Sequence, residues 1–183
     1  MAVNPCAYCG ASAEYFEIGE DGLCAACHDT ILADVTDHVA VLRNEQAELD
    51  ESEDLAALLK AADLAIETFE YLRDTYEARG VFVIEPRADE QIATVWRMRD
   101  DNIVEDAERR LVHAQVAAQA ANSAEGRALA LALGLVAIAE DRAIMREPSA
   151  LESVATGARA ALSAVFSELR EPAEFVAEVR RLI

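Results

Sequence analysis

The sequence predicts a mainly α protein: a multi-helix bundle behind a small N-terminal four-cysteine knuckle, with one short β segment between helices. Three observations predict it. Of 183 residues 38 are Ala, so the hydrophobic fraction of 53% is enriched in a helix-favouring residue rather than in bulky apolar ones. Gly10, Gly19 and Gly22 fall early, after which no glycine occurs until Gly80 and none again until Gly126, intervals that suit long helices. All four cysteines lie within the first 27 residues, in two CxxC pairs.

Residues 1–30 read as a turn-rich knuckle, in which residues 14–18 are a strand candidate running into the Gly19-Glu-Asp-Gly22 turn. Ile31, Val35, Val39 and Leu42 recur at spacings of three and four, so a helix leaves directly from the second cysteine pair. Asp50 with Glu53 has the spacing of a capping box, and Leu55, Leu59, Ala62, Ile66, Phe69 and Tyr76 form one face of a second helix ending near Gly80. The two make a helical hairpin over 31–80. Val81, Phe82, Val83 and Ile84, wholly apolar and mostly β-branched between Gly80 and Pro86, predict a short buried strand over 81–84 that either extends the knuckle or offers an edge to a partner. From about Asp89, a stripe of Ile92, Trp96, Ile103, Ala107, Leu111, Ala114 and Ala118 predicts a long amphipathic helix that opens a bundle over 88–183. Capping-box spacings at Asn122/Glu125 and Ser149/Glu152, a stop at Pro148 and a start at Pro172 divide the rest. Trp96, Phe69, Tyr71 and Tyr76 are expected to pack as aromatic core. The expected organisation is a knuckle at 1–30 packed directly on a helical domain at 31–183.

The chemistry lies in the cysteines. Cys6-Ala-Tyr-Cys9 and Cys24-Ala-Ala-Cys27 are separated by 14 residues, and each CxxC turn sets two thiolates one metal-ligand span apart. Two such turns close a tetrahedral four-sulfur shell around Zn2+, with no open position for a catalytic water, and Gly10 allows the tight turn after the first pair. The expected cofactor is therefore structural zinc on Cys6, Cys9, Cys24 and Cys27, which also staples a segment too small to build its own core. An iron tetrathiolate or a dithiol switch shares the ligand pattern. Cys24-Ala-Ala-Cys27-His28 also matches the CxxCH of covalent haem, but that reading leaves Cys6 and Cys9 idle.

Cys6-Ala-Tyr-Cys9-Gly10, then Ile18-Gly19, then Leu23-Cys24-Ala-Ala-Cys27 followed by a helix with Ile31, resembles the four-cysteine zinc-binding domain at the N-terminus of ClpX-type unfoldases. The resemblance covers residues 6–32. It implies a treble-clef-like knuckle that recognises adaptors and substrates and tends to dimerise, a metal role for the four cysteines, and a protein-contact role for Tyr8, Tyr15 and Phe16. No GxxxxGK[ST] phosphate loop occurs in the sequence, so the family's ATPase is not carried over.

Charge narrows the function classes. Sixteen Lys and Arg against 35 Asp and Glu give a net −19, and the first 42 residues contain no Lys or Arg. This opposes attraction to phosphate backbones and anionic lipid, so nucleic acid is not an expected partner. The uncharged runs at 111–124 and 128–139 are shorter than the ~18 to 20 residues of a membrane span, and residues 1–42 lack the basic start of a secretory signal. A cytoplasmic protein is expected. His38 and His113 stand apart from any nucleophile or carboxylate at a diagnostic spacing, and no HExxH or ExxH occurs. The expected function is a zinc-binding, non-enzymatic adaptor or regulator working through protein contacts at Tyr8, Tyr15, Phe16, Val81, Phe82 and Val83. Its rivals are a nucleic-acid-binding transcriptional regulator and an enzyme with a pocket among the helices near Trp96. Residues 128–139, apolar on all sides, point either to central burial or to a homo-oligomer.

Overall fold

A computed structural model describes residues 4–14, 17–49, 54–169, 173 and 176–177. After the knuckle, the described residues form five α-helices: α1 (Ala25–Leu49), α2 (Leu55–Thr75), α3 (Ala88–Ala120), α4 (Ala124–Glu140) and α5 (Pro148–Phe166). Single 3-10 turns at Glu77–Arg79 and Ile144–Arg146 complete the regular structure among the described residues. The chain divides into two compact units, Met1–Arg99 and Asp100–Ile183, with the boundary inside α3.

In the first unit α1 starts at the second cysteine pair, as the periodicity predicts. α2 is capped by Asp54, whose carboxylate accepts from the Ala56 N–H at 3.1 Å and so satisfies one of the orphan donors of its first turn. The Asp50/Glu53 box lies outside the described residues. α2 passes into the 3-10 turn, and Gly80, at φ +80°, supplies the left-handed residue that ends it. The hairpin is antiparallel, because Asp34 and His38, early in α1, meet Tyr71 and Tyr76 at the far end of α2. One core joins knuckle to hairpin: Cys6, Leu23, Cys24, Ile31, Val35, Leu72, Tyr76 and Val81 are buried together.

The predicted β segment is a correction: no strand forms over 81–84, and an isolated bridge between Ile18 and Cys24 is the β pairing among the described residues. The apolar run is irregular. Val81 is buried in the core, Val83 and Ile84 pack half-buried against it, and Phe82 is 57% exposed with Arg87 stacked 4.1 Å above its ring. Its hydrophobicity serves as a plug over the α1–α2 core. A ladder needs a neighbouring strand, and here the run lies against helices and side chains, with Pro86 unable to donate. Trp96 also departs from expectation: it is 44% exposed, with the Arg99 guanidinium 5.1 Å from its ring.

In the second unit the expected α3 stripe holds, for Ile103, Ala107, Leu111, Ala114 and Ala118 are all buried. Asp106, buried beside them, pairs with Arg109 and Arg110 at 2.7 Å each, and Arg110 reaches Asp141 just past the end of α4 at 3.0 Å. Ser123 caps α4 by accepting from Gly126 N–H at 3.0 Å, one residue later than the expected Asn122 box. Pro148 opens α5 instead of stopping a helix, since its missing N–H costs nothing at a first-turn position, and Glu147 caps by accepting from Ser149. α4 is not centrally buried: Ala128, Leu131 and Ile138 face the core, while Leu133 is 57% exposed. The Pro172 helix start lies outside the described residues. No helix among the described residues is long and apolar enough to cross a membrane.

Candidate metal centre

Two turns and a helix start assemble the cysteines. In the first turn Gly10, at φ +72°, lets its N–H donate back to the Cys6 carbonyl at 2.8 Å, and Cys6 N–H donates to Ala11 at 2.9 Å. In the second, Gly19 N–H donates to Leu23 at 2.8 Å, and Gly22, at φ +77°, closes back on Gly19 at 3.0 Å. A bond from Ala7 N–H to the Gly22 carbonyl at 3.0 Å ties one turn to the other. Cys24 then stands immediately before α1 and Cys27 in its first turn.

This places Cys6, Cys9, Cys24 and Cys27 so that all four sulfurs lie within 4.8 Å of one another. The Cys9 and Cys24 sulfurs are 3.9 Å apart, nearly twice a disulfide bond length. A tetrahedral ion with metal–sulfur bonds of ~2.3 Å requires ligand separations of ~3.8 Å, which the Cys9–Cys24 pair meets at 3.9 Å, and the 4.8 Å bound on the set is compatible with such an ion. Cys6 and Cys24 are buried, Cys27 is half-buried and Cys9 is exposed.

Thiolates need stabilisation before a cation arrives, and backbone donors provide it. Burial pushes the Cys6 thiol up, but hydrogen bonds from the backbone at Cys9, Cys24 and Tyr8 outweigh it and hold Cys6 at about 6. The Cys24 N–H lies 3.4 Å from the Cys6 sulfur. Cys27 is pushed up to about 12 by its hydrogen bond with the Cys24 sulfur and then by burial. The fold thus favours the thiolate at Cys6 and the protonated thiol at Cys27. At the rim the Asp21 carboxylate accepts from His28 Nδ1 at 2.7 Å and from Leu23 N–H at 3.0 Å, and the His28 bond holds Asp21 below the usual carboxylate range. His28 thus clasps the second turn, while the four sulfurs complete the shell.

Beside the shell, Tyr8 is half-buried, 5.7 Å from the Tyr76 ring, with the Arg79 guanidinium 5.0 Å over its face. Val81 sits in the core, Phe82 is exposed and Val83 half-buried; Tyr15 and Phe16 lie outside the described residues. A second polar cluster escaped sequence reasoning. Asp34 accepts from the hydroxyls of Tyr76 at 2.6 Å and Tyr71 at 3.1 Å, and His38 stacks on Tyr71 with ring centres 4.6 Å apart. The expectation that His38 stands apart from any carboxylate fails: Asp34, one helical turn earlier, lies 3.6 Å from its Nδ1, and their tyrosine partners come from another helix. Compared with family models, curated proteins and solved structures, the chain matches none of them.

Proposed function

We propose that the chain is a zinc protein of the reducing cytoplasm, its ion purely structural, that acts as an adaptor or regulator through protein contacts. The observation that carries the zinc reading is the mutual approach of four sulfurs within 4.8 Å, two from each CxxC turn. Protein thiolates fill every position of a tetrahedral shell, leaving none for water or substrate, so the ion supplies folding energy and no chemistry. What the ion holds in place is a surface: Tyr8 with Arg79, and exposed Phe82 with Arg87, both aromatic–arginine pairs of the kind that dominate protein interfaces. The net −19 supports a protein rather than a nucleic acid as partner.

Elemental analysis of protein purified without chelator tests the first part. One zinc per chain is expected; iron, or no metal, overturns it. Alanine at Phe82 and at Tyr8 tests the second, with loss of partner recovery and unchanged zinc content expected. Association between copies is a subsidiary part of the proposal, supported by exposed Leu129 and Leu133 on a helix without charge from 128 to 139. Light scattering at the 19.8 kDa monomer mass over a wide concentration range removes it.

A further inference from the structure

An open groove of about 400 Å3 runs along α1 in the first unit. One wall consists of two adjacent i,i+4 ridges of that helix, Val35–Val39–Arg43 and Thr36–Ala40–Asn44, and the other of Val83 and Ile84 from the irregular run. Nine helical rises separate Val35 from Asn44, roughly 13 Å, the length of about four extended residues. The groove is graded: apolar where Val83 and Ile84 face Val35, Val39 and Ala40, polar at the end formed by Arg43 and Asn44.

Arg43 has no carboxylate partner among the described residues, although Asp and Glu outnumber Lys and Arg 35 to 16. No Asp or Glu stands three or four residues from it along its helix, where Val39, Ala40, Gln46 and Ala47 occupy those positions. The Asn44 side-chain amide likewise has no hydrogen-bond partner among the described residues. An apolar trough ending in a guanidinium and an amide that no described residue engages matches an apolar chain that ends in a carboxylate. An acidic stretch would be repelled, since residues 1–80 carry 18 acids against 4 bases. A single carboxylate at a chain end incurs the least of that repulsion.

We infer that this groove binds the C-terminal segment of a partner protein. Its last apolar side chains lie against Val35, Val39, Ala40, Val83 and Ile84, and its terminal carboxylate meets Arg43 and Asn44. The inference rests on the protein-contact reading above and gives it a site and a partner chemistry.

Full-length zinc-loaded protein is presented to immobilised pentapeptides with their last three positions varied, one set ending in free acid and one in amide. Free acids ending in Leu, Ile or Val are expected to bind, with their amides at least about tenfold weaker. Arg43→Gln is expected to erase the difference between the sets, and Val39→Asp to remove binding to both, each with zinc content and circular dichroism unchanged. Equal binding of the sets, a preference that survives Arg43→Gln, or no selection overturns the inference. Arg43-dependent binding of decanoate without peptide selection also overturns it, reassigning the groove to fatty acids. Failure of the metal reading is separate: it shows as protein isolated without zinc, whatever the peptides do.

Discussion

Cys24 and Tyr76 each belong both to the apolar core of the first unit and to a polar cluster, and substitution separates the two roles. Cys24→Ser keeps size but replaces a thiolate with a hydroxyl that does not ionise near neutrality, leaving three sulfurs in the shell. Zinc is expected to fall from one per chain toward none, and amide exchange over residues 4–24 to become fast; stoichiometric zinc in this variant refutes the ligand assignment. Tyr76→Phe keeps the ring and removes the 2.6 Å bond to Asp34. A hydrogen bond to a charged acceptor contributes ~1.5–3 kcal/mol, and with Asp34 about a third exposed the expected loss is about 1–2 kcal/mol in denaturant midpoints. Burial first, and the Asp34 carboxylate second, push the Tyr76 phenol above its usual 10.0. A raised folded value means the folded state keeps a proton that the unfolded chain releases, so this contribution is complete below pH 10 and declines as pH rises beyond it. Wild type is expected to lose more stability than Tyr76→Phe between about pH 8 and about pH 11; equal losses would place the phenol in a solvent-like environment.

At the scale of elements, two helical glycines look alike in sequence and differ in what surrounds them. A Cβ on Gly134 of α4 would lie 2.3 Å from Ala114 Cβ and 3.2 Å from its Cα, contacts with a short side chain and backbone that cannot turn away. On Gly157 of α5 the nearest atom, 2.5 Å away, is the tip of the Leu111 side chain, which can rotate. Gly→Ala in an exposed helix interior gains up to ~1 kcal/mol, and overpacking costs ~1–3 kcal/mol. Gly134→Ala is therefore expected to destabilise, with recovery on adding Ala114→Gly, and Gly157→Ala to be close to neutral; equal thermal midpoints for the two would mean α3 and α4 do not approach as closely as they do here. The sequence already showed where α1 begins, directly after the cysteine turns, and which face of it is apolar, but it misplaced the starts of α4 and α5. It also showed which four cysteines come together, because two CxxC turns encode that geometry. It did not reveal that residues 81–84 stay irregular: four apolar residues in a row specify burial, and only the neighbours decide between a ladder and a plug. Nor did it reveal the groove, the Asp34 cluster or the exposure of Trp96, each of which depends on which residues of separate elements meet.

At the scale of the whole molecule, the two units depend on different forces. The second is held by side-chain packing and by the Asp106–Arg110–Asp141 chain of charges, none of which involves a thiol. The first shares a single core between knuckle and hairpin: Cys6, Leu23 and Cys24 pack with Ile31, Val35, Leu72, Tyr76 and Val81. If the proposed zinc is bound there, removing it would leave four thiols whose mutual approach is no longer favoured, and their separation would uncover the core they share with α1 and α2. Binding free energy for structural zinc, ~10–16 kcal/mol in small knuckles, is comparable to the whole stability of a domain of ~5–15 kcal/mol, so the hairpin cannot retain its core by propensity alone. Chelation is therefore expected to unfold the first unit, seen as faster amide exchange in α1 and α2, while α4 and α5 keep their protection. Zinc added back under reducing conditions should restore it, and lower pH should oppose reloading because protons compete for the thiolates. Uniform loss of protection across all helices would show the two units to be one cooperative body, and unchanged protection in α1 would show that the knuckle only decorates the hairpin.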